Sequence, residues 1–432
     1  MITASNFFFE SSTELKLLKT TAPNSTGAFF KQSTHITLGH MEKIDVLIIG
    51  AGVSGSVAAL KAAKEGLRTV IVEKKKKPGD PQTRVDITRD SGITEIVQEL
   101  KLEIGDHSRV SRWFSPKDSF ILTSKIGDYF VKRGQEEDSF EVSTLRKAEN
   151  AGAEVITGVR IEGIKKDGHM VNEVILNSGE EISPGYVIAA SGQEPDVLRK
   201  MGIKLEEKNP VHFIAYGEIS IGLDIPKKVS HIFFDSKTIP HGYFYMGKTS
   251  EGLGVSAVVL SSDEIMNVKE RYRHFIEHNN TVSGQISKYR VLNSFYSSRY
   301  AAEIGERVHG NVLLVGDSGR FMDPLVGYGV NPSIYTGYWA ADAIKRQDLA
   351  AYKKSIRKTL DEIRNGRKGR NVFLALKNED FDMLMEGMKE LSKEIDIDEF
   401  MDNPGRYSLH IAKAVLKKPG LVSMLKYLPS FI

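Results

Sequence analysis

The stretch Ile44-Asp45-Val46-Leu47-Ile48-Ile49-Gly50-Ala51-Gly52-Val53-Ser54-Gly55 decides the fold. Its first six residues read as a short strand buried on both faces. The G-x-G-x-x-G that follows opens an alanine-rich helical stretch from Ser56 to Lys64, which Gly66 ends. Leu67-Arg68-Thr69-Val70-Ile71-Val72 is a second strand, closed by Glu73. Strand, loop, helix, strand and acid follow one another as in a dinucleotide-binding βαβ unit. Gly50 is expected to make the tight turn, Gly52 to let backbone approach a pyrophosphate, and Gly55 to let helix and strand pack closely. The helix N-terminus supplies free N–H groups and partial positive charge to the phosphates. Glu73 stands 18 residues after Gly55, where a carboxylate can accept hydrogen bonds from the adenosine ribose. The loop alone does not separate FAD from NAD(P).

The rest of the composition narrows the class. With 432 residues, 41% hydrophobic and 27% charged, the chain suits two or three closely packed lobes. A net charge of +3 is small for this length and does not suggest a nucleic-acid partner. No apolar run reaches the roughly 18 residues a membrane span needs. Cysteine is absent, which excludes disulfides, thiolate nucleophiles and cysteine-ligated metal or iron–sulfur sites; no metal ligands are expected.

Residues 1–40 are rich in Ser, Thr, Asn and Phe without a clear period, and are expected to be a disordered upstream extension. Lys74-Lys75-Lys76-Lys77 reads as a solvated loop, and 80–135 as a mixture of loops and helices. A helix is expected from Phe140 to Ala151, and strands over 154–164, 173–176 and 186–190, the last ending at Ser191-Gly192. From Val211 to Val259 four alternating stretches predict a mostly antiparallel sheet, followed by a helix over 265–278. Asn311-Val312-Leu313-Leu314-Val315 is again a buried strand, Gly316-Asp317-Ser318-Gly319 a turn, and Pro332 to Lys345 a helix. The remainder reads as helices with basic faces.

Gly316-Asp317 at a strand end offers a carboxylate to a ribitol hydroxyl of FAD. A helix starting after Gly327-Tyr328-Gly329-Val330-Asn331 can point its N–H groups at the flavin C2 carbonyl and N1. Here the sequence resembles a known family. Gly316-Asp-Ser-Gly-Arg-Phe-Met-Asp-Pro-Leu-Val-Gly-Tyr-Gly-Val330 is similar to the G-D-A-A-G-F-x-N-P-L-T-G-x-G-I stretch of the geranylgeranyl reductase family. That family includes archaeal digeranylgeranylglycerophospholipid reductases and lies within the p-hydroxybenzoate-hydroxylase-like FAD superfamily. Phe140-Glu141, Ala148 and Ala151-Gly152-Ala153 resemble its F-D…A-x-x-A-G-A helix. Pro240-His241-Gly242-Tyr243-Phe244-Tyr245 with Gly252-Leu253-Gly254-Val255 resembles its P-x-G-Y-x-W…G-x-G-V strands. The likeness spans Met41 to about Ile344.

What the resemblance implies is an α/β (α+β) fold: a Rossmann-like FAD-binding domain of the ββα GR2 type, an inserted antiparallel substrate domain and a helical C-terminal region. The expected division is 41–210 with 290–347 for the FAD-binding domain, 211–289 for the substrate domain and 348–432 for the helical region. The implied flavin-binding residues are Gly50, Gly52, Ser54, Gly55, Glu73, Arg84, Val85, Arg133, Ile161, Gly316, Asp317, Gly327, Gly329 and Val330. Arg133 lies seven residues before Phe140 where the family places its arginine three before. Other departures touch the substrate side. The family's P-V-R-C is Pro81-Gln82-Thr83-Arg84-Val85 here, without a thiol, its Asp-Gly is Ser191-Gly192, and Y-x-W-x-F-P is Tyr243-Phe-Tyr245-Met-Gly-Lys.

The implied activity is reduction of carbon–carbon double bonds of an isoprenoid lipid, with FAD as cofactor and NAD(P)H or another electron donor as reductant. Tyr243, Tyr245, Phe244 and Phe234 are expected to wall the substrate site, with Tyr243 or Tyr245 as candidate proton donors. The alternatives are an aromatic or polyketide monooxygenase of the same superfamily and a non-catalytic flavin carrier. The sequence over 411–431 alternates apolar residues with Lys413, Lys417, Lys418 and Lys426. Such a helix can lie on anionic lipid, although docking on its own domain is the expectation. A cytoplasmic protein with an optional peripheral place at the membrane follows; the oligomeric state is not legible.

Overall fold

The computed structural model describes residues 43–399 apart from 82, 262–266, 394 and 397. In chain order it contains β1 (Lys43–Ile49), α1 (Val53–Lys64), β2 (Thr69–Glu73), β3 (Arg84–Arg89), α2 (Thr94–Leu100), β4 (Asp106–Phe114), β5 (Ser119–Arg133), α3 (Phe140–Asn150) and β6 (Glu154–Thr157). There follow β7 (Ile161–Asp167), β8 (Met170–Leu176), β9 (Glu181–Ala189), α4 (Pro195–Lys200), β10 (Lys208–Ile221), β11 (Val229–Phe233), β12 (Gly242–Lys248) and β13 (Leu253–Leu260). Last come α5 (Val268–His278), α6 (Asn280–Gln285), β14 (Arg290–Glu303), β15 (Val308–His309), β16 (Val312–Leu314), α7 (Val330–Lys345), α8 (Leu349–Ala375) and α9 (Asn378–Leu391).

The first sheet runs β15-β16-β9-β1-β2-β6, with the β7–β8 hairpin joined through β9. The pairs from β16 to β6 are parallel. Such a sheet needs cover on both faces, and β1 supplies side chains to each in alternation. Val46 and Ile48 pack into a core with α1, α3 and α7, while Leu47 and Ile49 pack toward the β7–β8 hairpin and α4. Helices on one face and a hairpin on the other give the expected ββα arrangement. The expected single strand over 154–164 is broken into β6 and β7 at Gly158, whose φ of +77° turns the chain.

The second sheet runs β14-β10-β13-β12-β11-β4-β5-β3, antiparallel except for β11 against β4. It is wider than the four strands expected over 211–259. The segment 80–135, read as loops and helices, contributes β3, β4 and β5, and β14 comes from the 290–347 stretch assigned to the dinucleotide-binding part. These strands are hard to see because their apolar residues are diluted: β14 is Arg-Val-Leu-Asn-Ser-Phe-Tyr-Ser-Ser-Arg-Tyr-Ala-Ala-Glu and β4 is Asp-His-Ser-Arg-Val-Ser-Arg-Trp-Phe. Helix α8 packs on α7 through Tyr352, Ile356 and Ile363, and α9 packs Met385 and Met388 on Phe120 and Leu122 of β5. The basic sequence over 411–431 and the extension 1–40 lie outside the described residues.

Candidate active site

The two dinucleotide signals, 260 residues apart, are packed against each other. A Cβ built on Gly316 would stand 2.7 Å from Ser54 Oγ, and one on Gly337 of α7 2.2 Å from the Ser54 carbonyl. Gly316 N–H donates to Thr336 Oγ1 at 2.9 Å, which ties the turn to α7. Gly55 has a Cβ position only 1.9 Å from the Gly50 carbonyl, so the first loop closes only with glycine there. Gly52 differs: its φ of −77° is ordinary and its Cβ position meets nothing within 4 Å. The space beside Gly52 belongs to the cavity.

That cavity, of about 1020 Å³, runs between the two sheets. It is at the upper end of the roughly 300–1,000 Å³ of small-molecule sites. The first sheet and its loops line it with Gly50, Gly52, Ser54, Glu73, Ile161 and Asp317, the start of α7 with Gly327, Gly329 and Val330, and the second sheet with Arg84, Arg133, Tyr243 and Tyr245. Gly55, Gly316 and Val85 stand behind this surface. Val85 is fully buried among Phe130, Ile219, Val255 and Phe295, on the other face of β3 from Arg84 and Asp86.

Two helices begin at the cavity wall, α1 after Gly52 and α7 after Gly329, and neither has a side-chain cap. Their first N–H groups, with the positive end of each helix dipole, therefore face the cavity from two sides. Glu73 does more than offer a carboxylate to a ribose. Its two oxygens accept from Ala51 N–H at 2.8 Å and Lys75 N–H at 2.9 Å, so it clamps the glycine loop to β2. Of the lysine run, all four side chains are exposed, with Lys74 paired to Glu194 at the cavity rim.

Arg84 and Arg133 are directly opposed on β3 and β5, an arrangement of like charges that needs compensation. Asp86 accepts from both, from Arg84 Nε at 3.1 Å and Arg133 at 2.9 Å. Asp80 adds a second partner to Arg84, and Glu141 accepts from Arg133 at 2.5 Å. Arg133, displaced in sequence, is thus brought to the cavity by β5. The other Glu141 carboxylate oxygen is buried without a partner among the described residues, on a wall of the cavity. Uncapped helix ends, an open glycine face and an orphan acceptor are donors and acceptors arranged for a polar, phosphate-bearing ligand. Asp317 has Arg299 3.8 Å away; burial raises its carboxyl above the usual range, opposed by Arg299 and Arg320.

At the position of the family's second glycine in G-D-A-A-G-F stands Arg320, in the left-handed region at φ +55°. It is almost fully buried and donates to Glu207 and to the Tyr300 hydroxyl, each at 2.6 Å. This anchor, which holds the Asp317 turn to β14, carried no sequence signal.

The far wall corrects the sequence reading. Tyr243 and Tyr245 face the cavity, with ring centroids 6.3 Å apart. Phe244, between them, points to the other side of β12, where it is fully buried against Phe275 and Tyr272. Phe234 stacks on Phe381 of α9, away from the cavity. The alternation of a strand allows no other result for Phe244. The wall is completed by residues the sequence did not single out: Phe213, Ala215, Val259, Phe295, Met322 and Tyr328. Tyr243 donates its hydroxyl to the Val326 carbonyl at 2.8 Å, which fixes the loop before α7. Burial pushes the Tyr243 and Tyr245 hydroxyls well up, so both stay protonated.

A glycine-loop βαβ unit joined through one cavity to a second strand–turn–helix defines a flavin-dependent oxidoreductase of the Rossmann-like class. Residues 45–368 match the model of the FAD dependent oxidoreductase family, and the chain belongs to that family. FAD is therefore its cofactor. Among curated relatives, digeranylgeranylglycerophospholipid reductase of Methanosarcina acetivorans is 28% identical over 81% of this chain and 89% of its own. The protein named digeranylgeranylglycerophospholipid reductase 2 of Methanopyrus kandleri is 25% identical over 89% of this chain and 99% of its own. In structure the chain is similar to a geranylgeranyl bacteriochlorophyll reductase-like protein of Thermoplasma acidophilum, with a TM-score of 0.69, 22% identity, and coverage of 89% and 99%. A flavin-dependent brominase shares the fold at a TM-score of 0.65 and 19% identity, over 84% and 92% of the two chains.

Proposed function

We propose that this flavoenzyme reduces carbon–carbon double bonds of an isoprenoid lipid, drawing electrons from NAD(P)H or another donor. The observation that carries this reading is the continuity of the cavity from the glycine loop to an apolar, aromatic wall formed by side chains of the second sheet. The relatives named for digeranylgeranylglycerophospholipids supply the substrate class. Bound FAD supplies the hydride. The backbone of Gly50, Gly52, Ser54 and Gly55 would hold the pyrophosphate at the start of α1, with Glu73 keeping that loop in place beside the ribose. Arg84 and Arg133, near enough to Asp317 to act on its carboxyl, would flank the cofactor beside that residue, Ile161 would line the site from the first sheet, and Val85 supports Arg84 from the core. Asp317, on the turn opened by Gly316, would take a ribityl hydroxyl. Gly327, Gly329 and Val330 would present the positive end of α7 to the bound flavin, where it would favour negative charge on reduction.

Phe213, Phe295, Val259 and Met322 line the cavity and would exclude water from an apolar chain bound beside the cofactor. Tyr243 positions the loop through Val326, and Tyr245 is the residue we assign to hold the proton that completes the reduced bond. The test is anaerobic: protein reduced with dithionite is mixed with a geranylgeranyl lipid. Flavin reoxidation with product mass rising in steps of two hydrogens is expected. No reoxidation would contradict the reading, and an oxygen atom in the product under air would make the protein a monooxygenase.

A further inference from the structure

The described residues expose six large apolar side chains, and four of these, Ile221, Val291, Leu292 and Tyr296, lie on the neighbouring strands β10 and β14. Strand β14 is an edge of the second sheet. Three of the four stand where β10 ends and β14 begins; Ile221 is paired with Arg290 and Ser220 with Val291, so Ile221 and Val291 project from opposite faces and the tip is apolar on both. Leu292, 48% exposed, falls at the register shift between these pairs and the next. An apolar cluster on an exposed edge is a liability unless something covers it.

The surroundings say what kind of cover. Arg290 is exposed on the same strand, and Lys288 is exposed just before it, its carbonyl 2.6 Å from the Cβ position of Gly222. Along the same edge Lys269 lies over the Tyr216 ring at 5.6 Å, and the exposed Arg273 is close enough to Tyr296 to act on its hydroxyl. The exposed acids here are Asp224, three residues after Ile221, and Glu251, in the turn before Leu253, which pairs with Ile221; the exposed Lys227, Lys228, Lys288 and Arg290 outnumber them at this end of the sheet. Apolar side chains ringed by Lys and Arg match an anionic lipid surface, into which the former insert and to which the latter are drawn. A strand-pairing partner would use the whole edge, whereas here three of the four apolar residues sit at one tip and the rest of β14 exposes Tyr296, Ser298 and Arg299. On its other face the same strand lines the cavity from Phe295 onward, about 10 Å along the strand from Leu292.

We propose that the tip of the second sheet, where β10 ends and β14 begins, docks the protein on an anionic membrane. The proposal rests on the lipid-reductase reading for its choice of partner, but its test involves no turnover. FAD-loaded full-length protein is floated with mixed phosphatidylglycerol–phosphatidylcholine vesicles and with phosphatidylcholine alone. Wild type should rise with the anionic vesicles. The double variants Val291→Glu/Leu292→Glu and Lys288→Glu/Arg290→Glu should each bind roughly tenfold or more weakly while keeping their FAD. Wild type that stays unbound, or variants that float unchanged because the basic sequence over 411–431 does the binding, would overturn it. So would a dimer that Leu292→Glu splits while vesicle binding stays intact, since the tip would then cover a second copy. Loss of docking with lipid reduction intact, or the reverse, separates the two readings.

Discussion

The two ends of the cavity are built in opposite ways. The end at Gly50 is made of consecutive residues and almost wholly of backbone: a glycine loop, an uncapped helix start and one carboxylate that grips Ala51. The far end is made of side chains that four strands and a loop deliver one or two at a time, from Phe213 to Tyr328. A backbone site tolerates no change of shape at its glycines but is indifferent to which side chains surround it. A side-chain wall tolerates change at each position and draws its specificity from the sum.

The sharpest way to break this contrast is Gly55→Ala. Its added methyl would sit 1.9 Å from the Gly50 carbonyl, and that is backbone that cannot step aside. A loss of about 3 kcal/mol or more and of bound flavin is expected by denaturant titration and absorbance. Next comes Phe244→Ala, expected to cost about 3–5 kcal/mol because the ring is fully buried behind the sheet. Tyr245→Ala, one residue on, should leave the stability within about 1 kcal/mol and instead lower kcat and raise KM for the lipid. Equal destabilisation by the two would place Tyr245 in the core rather than on the wall.

Asp128 on β5 gives a smaller, pH-dependent effect. Burial pushes its carboxyl up to about 6, against the opposing pull of Arg89 and His107 and with Asp90 and Asp398 adding to the rise. A carboxyl raised on folding costs stability once ionised, so the cost is full above pH 6 and disappears as pH falls toward the ordinary value of 3.8. Asp128→Asn should therefore stabilise by about 1–3 kcal/mol at pH 7.5 and by nothing near pH 3.5, measured as the difference in thermal or denaturant unfolding. A gain independent of pH would remove the charge from the explanation. Smallest is Tyr243→Phe, which loses the bond to Val326 and should cost about 1 kcal/mol while loosening the loop before α7.

The same contrast explains how far the sequence could be read. Strand, loop and helix at Gly50 are contiguous, so spacing alone placed them, and the Asp317 turn followed from a second contiguous motif. Arg133 reached the cavity despite its displaced position, because β5 carries it opposite Arg84. The wall did not read out. Period-two alternation separates Tyr243 and Tyr245 from Phe244, but no local pattern says that Phe213 and Phe295 meet them across β10 and β14. Strand β4 escaped because Ser and Arg dilute its apolar residues, and β5 because its apolar residues fall in runs, Phe120-Ile121-Leu122 and Tyr129-Phe130-Val131, that show no alternation, Ile121 being exposed.

The account turns on one molecule reaching both ends of this cavity, and competition between ligands tests it. Affinities for FAD and for ADP are measured by fluorescence and calorimetry on wild type, Gly52→Ala and Asp317→Ala. Gly52→Ala, whose methyl enters open space beside the loop, should weaken both ligands roughly tenfold or more while the ligand-free protein stays as stable as wild type. Asp317→Ala should weaken FAD and leave ADP unchanged. If Asp317→Ala leaves FAD affinity unaltered, or weakens ADP as much as FAD, the two segments do not share a flavin.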